Sequence, residues 1–261
     1  MKFARRFPGC ASALILAALL SDVTSAPART LAEVQARGIV SMCANPNALP
    51  HASNKPETPG FQVEIGRAVA AALGVPLQVE WIVARMRASM VDCDLLLDTI
   101  ADPAVQRPQT LLSQPYQKSG VALAMRASRP AAQGFADLTP GMRVGVMINS
   151  VASVLLGKRG VSVVPYAFES EMVEDLAKGE IDACAVSPAS IAHFIHVHPD
   201  SGLRYVHAYD AEPELRWSLA IALRRSDPAM LNAVNTALTK LMDDGTLARI
   251  YGRYGVEYRR P

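Results

Sequence analysis

The chain has 261 residues with a formal net charge of +2 at pH 7, and half of its residues are hydrophobic. A chain of this length and composition can bury the core of one large or two medium domains. Without residues 1–26, which carry three basic side chains and one acidic one, the basic and acidic residues are equal in number. This balance argues against a general affinity for nucleic acid or for an anionic membrane surface.

The first 26 residues have the pattern of a secretory signal peptide. Basic side chains precede an apolar run at residues 11–20, and Thr24-Ser25-Ala26 is a small-residue cleavage site. The apolar run is shorter than the roughly 20 residues of a membrane-spanning helix. Cys10 lies before this run, where a lipid-anchored cysteine is not expected. We therefore predict export to the periplasm, cleavage near Ala26 and no membrane insertion.

Strand and helix patterns alternate along the rest of the chain, which is typical of α/β proteins with largely parallel sheets. Apolar periodicity predicts strands at residues 39–43, 77–83, 93–97, 121–125, 143–148, 161–164, 181–186, 203–207 and 217–223. It predicts helices at residues 62–73, 150–156, 169–178, 188–196, 229–242 and 246–254.

A Pro-, Ser- and Ala-rich stretch at residues 127–132 marks the passage into a second domain. We predict two α/β lobes, the first formed by residues 27–124 and 221–261 and the second by residues 125–220. Two crossings between the lobes imply two hinge strands. The ligand cleft is expected between the lobes, where such sites commonly lie.

Several short segments resemble, in the same order, landmarks of the family 3 periplasmic solute-binding proteins. They are GFQVEI at residues 60–65, CDLL at 93–96, SQPY at 113–116, GEIDA at 179–183 and DGT at 244–246 with Ile250-Tyr251. The resemblance covers nearly all of the chain after the signal. It implies the type II periplasmic binding protein fold, in which each lobe is a mostly parallel sheet flanked by helices.

A narrower resemblance concerns residues 43–50 (CANPNALP) followed by Ser53-Asn54. They are similar to the C-A-D-P-N-N-L-P-F-S-N signature of binding proteins associated with quinoprotein (methanol) dehydrogenases, the MxaJ/XoxJ type. The chain departs from it with Asn45 for Asp, Ala48 for Asn and His51-Ala52 where Phe is expected. The resemblance implies a non-enzymatic accessory protein, without a cofactor, that activates a PQQ-dependent alcohol dehydrogenase by protein contact.

Three cysteines remain after the signal. Cys43 ends the first strand and Cys93 begins the third, and these strands are neighbours in a sheet of 2-1-3 order. In an oxidising compartment we favour a Cys43–Cys93 disulfide, the alternative being two reduced core cysteines. Cys184 lies inside an apolar strand and is expected to be a buried thiol.

The charged clamps of amino-acid-binding relatives are altered in this sequence. In those relatives an Arg holds the ligand carboxylate, and the second Asp of a D-A-x-x-x-D pattern holds the ammonium. Here Ser187 stands at that Asp position, the spacing before Arg107 differs, and Asn149-Ser150 lacks the usual G-[ST]-[ST] anion nest. An unpaired buried charge costs several kcal/mol, so we expect an uncharged polar solute or no transported ligand. A register error of one or two residues is the alternative.

Two further groups have both functional and structural interpretations. The spacing of His193, His196 and His198 allows two imidazoles on one helical face, but no Cys or carboxylate close in sequence completes a metal site. We therefore predict no metal. Trp81 and the following Arg85 are equally consistent with a cleft or partner surface and with a core Trp beside a solvated loop. The predicted cleft residues are Asn45, Asn47, His51, Trp81, Arg85, Asp98, Thr99, Arg107, Asn149, Ser150 and Ser187.

Three functions compete at this point. The dehydrogenase accessory protein is the leading hypothesis, with a periplasmic quinoprotein dehydrogenase as partner. The first alternative is an ABC-transporter substrate-binding protein that closes on a small polar solute. The second is a periplasmic dehydratase of the same fold, for which Asp98 is the candidate acid or base. No nucleophile elbow, P-loop or dinucleotide fingerprint is present in the sequence.

Overall fold

The computed structural model describes residues 29–83, 93–105 and 109–261. The predicted signal peptide, Arg85 and Arg107 lie outside the described residues.

Helices and strands alternate through both lobes. The chain first forms α1 (Leu31–Arg37), β1 (Val40–Ala44), β2 (Asn47–Ala48), β3 (Ala52–Ser53), α2 (Phe61–Ala72), β4 (Leu77–Trp81), β5 (Leu95–Ile100), β6 (Thr110–Leu112) and β7 (Gln117–Gly120). It continues with β8 (Ala122–Arg126), β9 (Arg143–Met147), α3 (Val151–Lys158), β10 (Ser162–Tyr166), α4 (Glu169–Lys178), β11 (Ala183–Val186), α5 (Pro188–Val197) and β12 (Leu203–Val206). It ends with β13 (Arg216–Arg224), α6 (Pro228–Asp243) and α7 (Thr246–Gly252).

Two main sheets form the two lobes, and the predicted two-lobed α/β fold is confirmed. The first has the order β4-β1-β5-β13-β6, with β7 also paired to β13, and the second has the order β10-β9-β11-β8-β12. Three strands are parallel in each sheet, but β13 and β8 run antiparallel to their neighbours. The sheets are therefore mixed rather than mostly parallel. A parallel neighbour requires a crossover connection, whereas β8 and β13 arrive directly from the other lobe.

The two crossings lie side by side. The amide of Val121 donates a hydrogen bond to the carbonyl of Leu215 at 2.9 Å. Gly120 lies so close to this strand that a Cβ atom would come within 2.3 Å of the same carbonyl, so the approach requires glycine. The lobe boundaries predicted at 124/125 and 220/221 fall within β8 and β13. We propose residues 120–121 and 215–216 as the hinge points.

Local sequence accounts for several helix boundaries. The side chains of Ser150, Ser187 and Asp227 accept hydrogen bonds from the first turns of α3, α5 and α6, and Pro opens both α5 and α6. The sequence patterns missed α1 and the short strands β2, β3, β6 and β7. These elements have two to seven residues, which is too short for a clear apolar period.

The second lobe touches the core of the first through α5. Ala189 and Ala192 are buried in the same apolar cluster as Phe61, Tyr251 and Tyr254 of the first lobe. The lobes are thus in direct contact beside the predicted cleft. Across the described ranges, no helix has the length and apolarity that crossing a bilayer requires.

Candidate functional site

A cavity of about 200 Å³ lies at the junction of the two lobes. Its walls come from α2, β5, β7, β13, the start of α5, the segment after β12 and the C-terminal tail. The lining residues are His51, Phe61, Asp98, Ile100, Gln117, Lys118, Ser119, Gly120, Ser187, Pro188, Ala189, His207, Tyr209, Trp217, Leu219, Glu257 and Arg259. The volume is below the roughly 300–1,000 Å³ of sites for drug-sized ligands, so a small solute fits it better.

Asp98 provides a buried carboxylate inside β5, where the register with β13 shifts. The residue is 7% exposed, and its backbone has a left-handed φ of 52°. The hydroxyl of Tyr116 donates to one carboxylate oxygen, and the Gln62 amide donates to the other at 2.6 Å. Burial, and next the nearby Asp98 charge, raise the pKa of Tyr116 well above 10, so this phenol remains a hydrogen-bond donor.

Ser187 reaches the same cavity from the second lobe. It caps α5, with its hydroxyl accepting a hydrogen bond from the Ser190 amide at 3.2 Å. The carboxylate of Glu169 accepts a hydrogen bond from the Ser187 amide at 2.8 Å and another from the Ser190 hydroxyl. Backbone amides at the start of α5 therefore already have hydrogen-bond acceptors, namely the Ser187 hydroxyl and the Glu169 carboxylate. Ser187 itself brings no charge to the cavity.

The C-terminal tail after α7 closes one side of the cavity. The carbonyl of Arg259 in this tail accepts a hydrogen bond from the Lys118 amide of β7 at 2.8 Å. Its Arg259 guanidinium donates to the hydroxyl of Tyr209 at 2.9 Å and to Asp210 at 2.8 Å. A carboxylate oxygen of Glu257 lies 2.8 Å from Nε2 of His207. The tail thus links the first lobe to the segment that follows β12 in the second.

Of the predicted cleft residues, His51, Asp98 and Ser187 line the cavity. The structure places the other described candidates elsewhere. These are Asn45, Asn47, Trp81, Thr99, Asn149 and Ser150.

Each of these displaced candidates has a local role or position. Asn45 accepts the Asn47 amide at 3.0 Å in the turn before β2, and Trp81 is 41% exposed at the end of an edge strand. The hydroxyl of Thr99 donates to the Leu96 carbonyl at 3.2 Å. Asn149 is exposed at a φ of 57°, and Ser150 caps α3. The sequence placed them at strand ends but could not tell which strand ends face the other lobe.

The sequence patterns did not predict several of the residues that line the cavity. Lys118, His207, Tyr209, Glu257 and Arg259 lie on the crossing strand, after β12 and in the C-terminal tail. None belongs to a motif, and their meeting depends on the return of the chain across the hinge. The polar run at residues 117–119 directly after SQPY is the one sequence signal that could have indicated the crossing strand.

The predicted disulfide is confirmed. Cys43 and Cys93 are bonded, with their Cα atoms 5.6 Å apart, because β1 and β5 are sheet neighbours. Cys184 is a buried free thiol, as expected, and burial raises its pKa far above the usual value. Among the described residues, no group of three His, Cys, Asp or Glu side chains is arranged to hold a metal ion. His193 instead bonds through Nδ1 to the Tyr254 carbonyl at 3.0 Å.

Two α/β lobes joined by paired crossing strands, with a polar cavity between them, define a bilobal binding protein. Residues 40–257 match the family described as bacterial extracellular solute-binding proteins, family 3, and the chain belongs to this family. It is 27% identical over 195 residues to the L-cystine-binding protein TcyJ of Escherichia coli (strain K12), covering 72% of this chain and 71% of that protein.

Solved structures agree on the fold. An ancestral cationic amino acid solute binding protein (AncCDT-1) superposes with a TM-score of 0.73 at 20% identity, covering 86% of this chain and 98% of that one. The L-cystine solute receptor of Neisseria gonorrhoeae, in its unliganded open conformation, superposes with a TM-score of 0.71 at 18% identity, covering 88% and 99%.

Proposed function

We propose that this protein is a receptor that closes its two lobes on a small polar solute and serves as the substrate-binding component of a transport system. The observation that carries this proposal is a cavity lined by Asp98 from the first lobe and by Ser187 from the second. A ligand that contacts both walls favours the closed arrangement by its differential affinity for it. The ABC-transporter alternative therefore replaces the dehydrogenase accessory role as our leading hypothesis.

The family supports this order of hypotheses. The Escherichia coli relative is named for binding L-cystine, and the two similar structures are named for amino acid and cystine binding. An amino acid or a related polar solute is thus the first class to test. The predicted signal peptide and the description of the family as extracellular support a periplasmic location.

The test is a thermal-shift screen of the chain from residue 27 onward, followed by calorimetry. The screen should contain amino acids, polyamines, sugars and small carboxylates. At a hundredfold excess over Kd a ligand adds about 2.7 kcal/mol, which corresponds to a rise in Tm of about 5–10 °C for a domain pair of this size. If a folded sample binds no small solute in calorimetry across these classes, the receptor proposal is wrong.

The accessory role remains a second candidate because the Cys43–Cys93 disulfide joins the segment that resembles the MxaJ/XoxJ signature to the residue directly before Asp94 and β5. Its partner would be a periplasmic quinoprotein dehydrogenase. A pull-down from periplasm with immobilised protein tests it directly. Recovery of such a dehydrogenase, together with an absence of solute binding, would reverse our order of preference.

A further inference from the structure

Asp98 is held in place by neutral donors. The Tyr116 hydroxyl and the Gln62 amide each donate one hydrogen bond to its carboxylate, and the Asp98 amide donates to the Tyr116 oxygen at 3.0 Å. An ionised carboxylate can accept about four hydrogen bonds, so about two positions remain. The residue is 7% exposed and lines the cavity, so a solute in the cavity can reach these positions.

No cation in the described part of the chain forms an ion pair with Asp98. A buried charge without a partner costs several kcal/mol, and this carboxylate has neutral partners alone. Asp98 also keeps a left-handed backbone, which non-glycine residues rarely adopt outside functional or tightly constrained positions.

The other charged groups of the cavity are already matched. Lys118 and Arg259 both pair with Asp210, and His207 pairs with Glu257. Each of these groups therefore already has a partner in the structure. The Asp98 carboxylate, by contrast, has no ion-pair partner among the described residues.

The cavity walls beside Asp98 favour a cationic group attached to a short hydrocarbon chain. Phe61, Ile100, Trp217 and Leu219 line the same cavity. Aromatic faces attract ammonium and guanidinium groups, most strongly where water is excluded. A carboxylate among aromatic and aliphatic side chains is therefore a site for an organic cation rather than for an anion.

We infer that Asp98 binds the cationic group of the solute, and that the ligand is a small amine or guanidine. The inference rests on the proposed receptor function and specifies its ligand class. It moves the charge that recognises the cation from the second lobe, where the sequence has Ser187, to β5 in the first lobe. It also replaces our expectation of an uncharged ligand.

The primary test uses the unaltered protein and compares cationic probes with neutral and anionic ones, of which 4-aminobutan-1-ol and 1,4-butanediol are matched in size. Calorimetry compares 4-aminobutan-1-ol with 1,4-butanediol, and putrescine, agmatine and L-arginine with succinate. We expect each amine or guanidine to bind at least thirtyfold more tightly than its neutral counterpart or succinate. Binding of 1,4-butanediol within threefold of 4-aminobutan-1-ol would overturn the inference.

The second test is Asp98→Asn, which keeps the shape of the side chain and removes its charge. We expect about a hundredfold weaker binding of the cations and little change for neutral probes, with Asp243→Asn as an exposed control on α6. If Asp98→Asn does not fold, the comparison of probes on the unaltered protein decides whether the cation site exists.

A neutral or anionic solute that binds equally to both proteins would leave the receptor function standing and reject the cation site. Failure of the unaltered protein to bind any solute rejects both.

Discussion

The ammonium nitrogen of Lys118 lies 2.7 Å from one carboxylate oxygen of Asp210, and this ion pair joins the two lobes. Lys118 is on β7 of the first sheet, and Asp210 follows β12 of the second. The guanidinium of Arg259, from the C-terminal tail, lies 2.8 Å from the other oxygen. One carboxylate therefore connects a crossing strand, the tail and the second lobe at the edge of the cavity.

Asp210→Asn is expected to weaken the contact between the lobes. Lys118 holds the pKa of Asp210 below 3.8, so its contribution is complete at pH 7 and is lost as the pH falls below that value. The carboxylate is 41% exposed, so we expect a loss of about 1 kcal/mol from the two pairs together. The Tm should fall by about 2–4 °C at pH 7.

The matched control is Asp243→Asn, which removes an exposed pair with Arg260, also at 2.7 Å, within the first lobe. Small-angle scattering should show a larger radius of gyration for Asp210→Asn and no change for Asp243→Asn. Equal radii for the two variants would mean that the Lys118–Asp210 pair does not hold the lobes together.

The disulfide is expected to stabilise the first lobe strongly. It closes a loop with a sequence separation of 50 residues, for which the chain-entropy model gives about 4 kcal/mol. The double variant Cys43→Ser/Cys93→Ser should lose about this much free energy of unfolding in urea. Dithiothreitol should produce a similar loss in the unaltered protein and in Cys184→Ala, but none in the double variant. Insensitivity of the unaltered protein to the reductant would contradict this prediction.

Asp94 stabilises the start of β5 and the two basic residues beside it. Its Oδ2 atom accepts the Ser41 amide at 2.8 Å and Arg37 at 2.7 Å, and Arg29 lies 3.4 Å from Oδ1. Arg29 is 6% exposed, and burial lowers its pKa.

Asp94→Asn removes the charge and leaves the Arg29 guanidinium buried without this counter-charge. Breaking a buried pair in this way costs about 3 kcal/mol or more, measurable by urea unfolding at pH 7. Asp200→Asn, at an exposed site in the second lobe, serves as the control and should stay within about 0.5 kcal/mol of the unaltered protein. A similar small change in Asp94→Asn would show that the network is not stabilising.

His193 is expected to make stability depend on pH. Burial lowers its pKa below 6.5, the hydrogen bond to the Tyr254 carbonyl opposes this shift, and the neighbouring His196, His51 and His198 lower the pKa more weakly. A folded-state pKa below the unfolded one means that the unfolded chain binds more protons. The contribution is therefore complete above about pH 6.5 and is lost as the pH falls through the folded-state pKa.

The Tm of the unaltered protein should thus fall between pH 7.5 and pH 5. His193→Gln can keep a hydrogen bond to the Tyr254 carbonyl without titrating, so its Tm should fall less. The exposed His198 gives the control His198→Gln, which should follow the unaltered protein. Parallel curves for all three proteins would exclude His193 as the group responsible.

The sequence predicted well what depends on neighbours along the chain or on the order of strands. The caps Ser150, Ser187 and Asp227 are local, since each hydroxyl or carboxylate bonds an amide three residues later. The Cys43–Cys93 bond followed from the 2-1-3 order of the first sheet. The mixed direction of the sheets was missed, because apolar periodicity carries no information on the direction in which a strand enters its sheet.

By itself, the sequence determined the class of fold, the family landmarks and the replacement of the expected Asp by Ser187, but it ended the strand one residue before Asp98, which lies inside β5. The tertiary structure decided which strand ends face the other lobe and which charges are matched. Lys118 and Arg259 both pair with Asp210, although the three residues are distant in sequence. Asp98 meets no cation in the described part of the chain. Ion pairing in a cavity depends on three-dimensional neighbours, so the charge available to a ligand could be read from the folded lobes and not from the motifs.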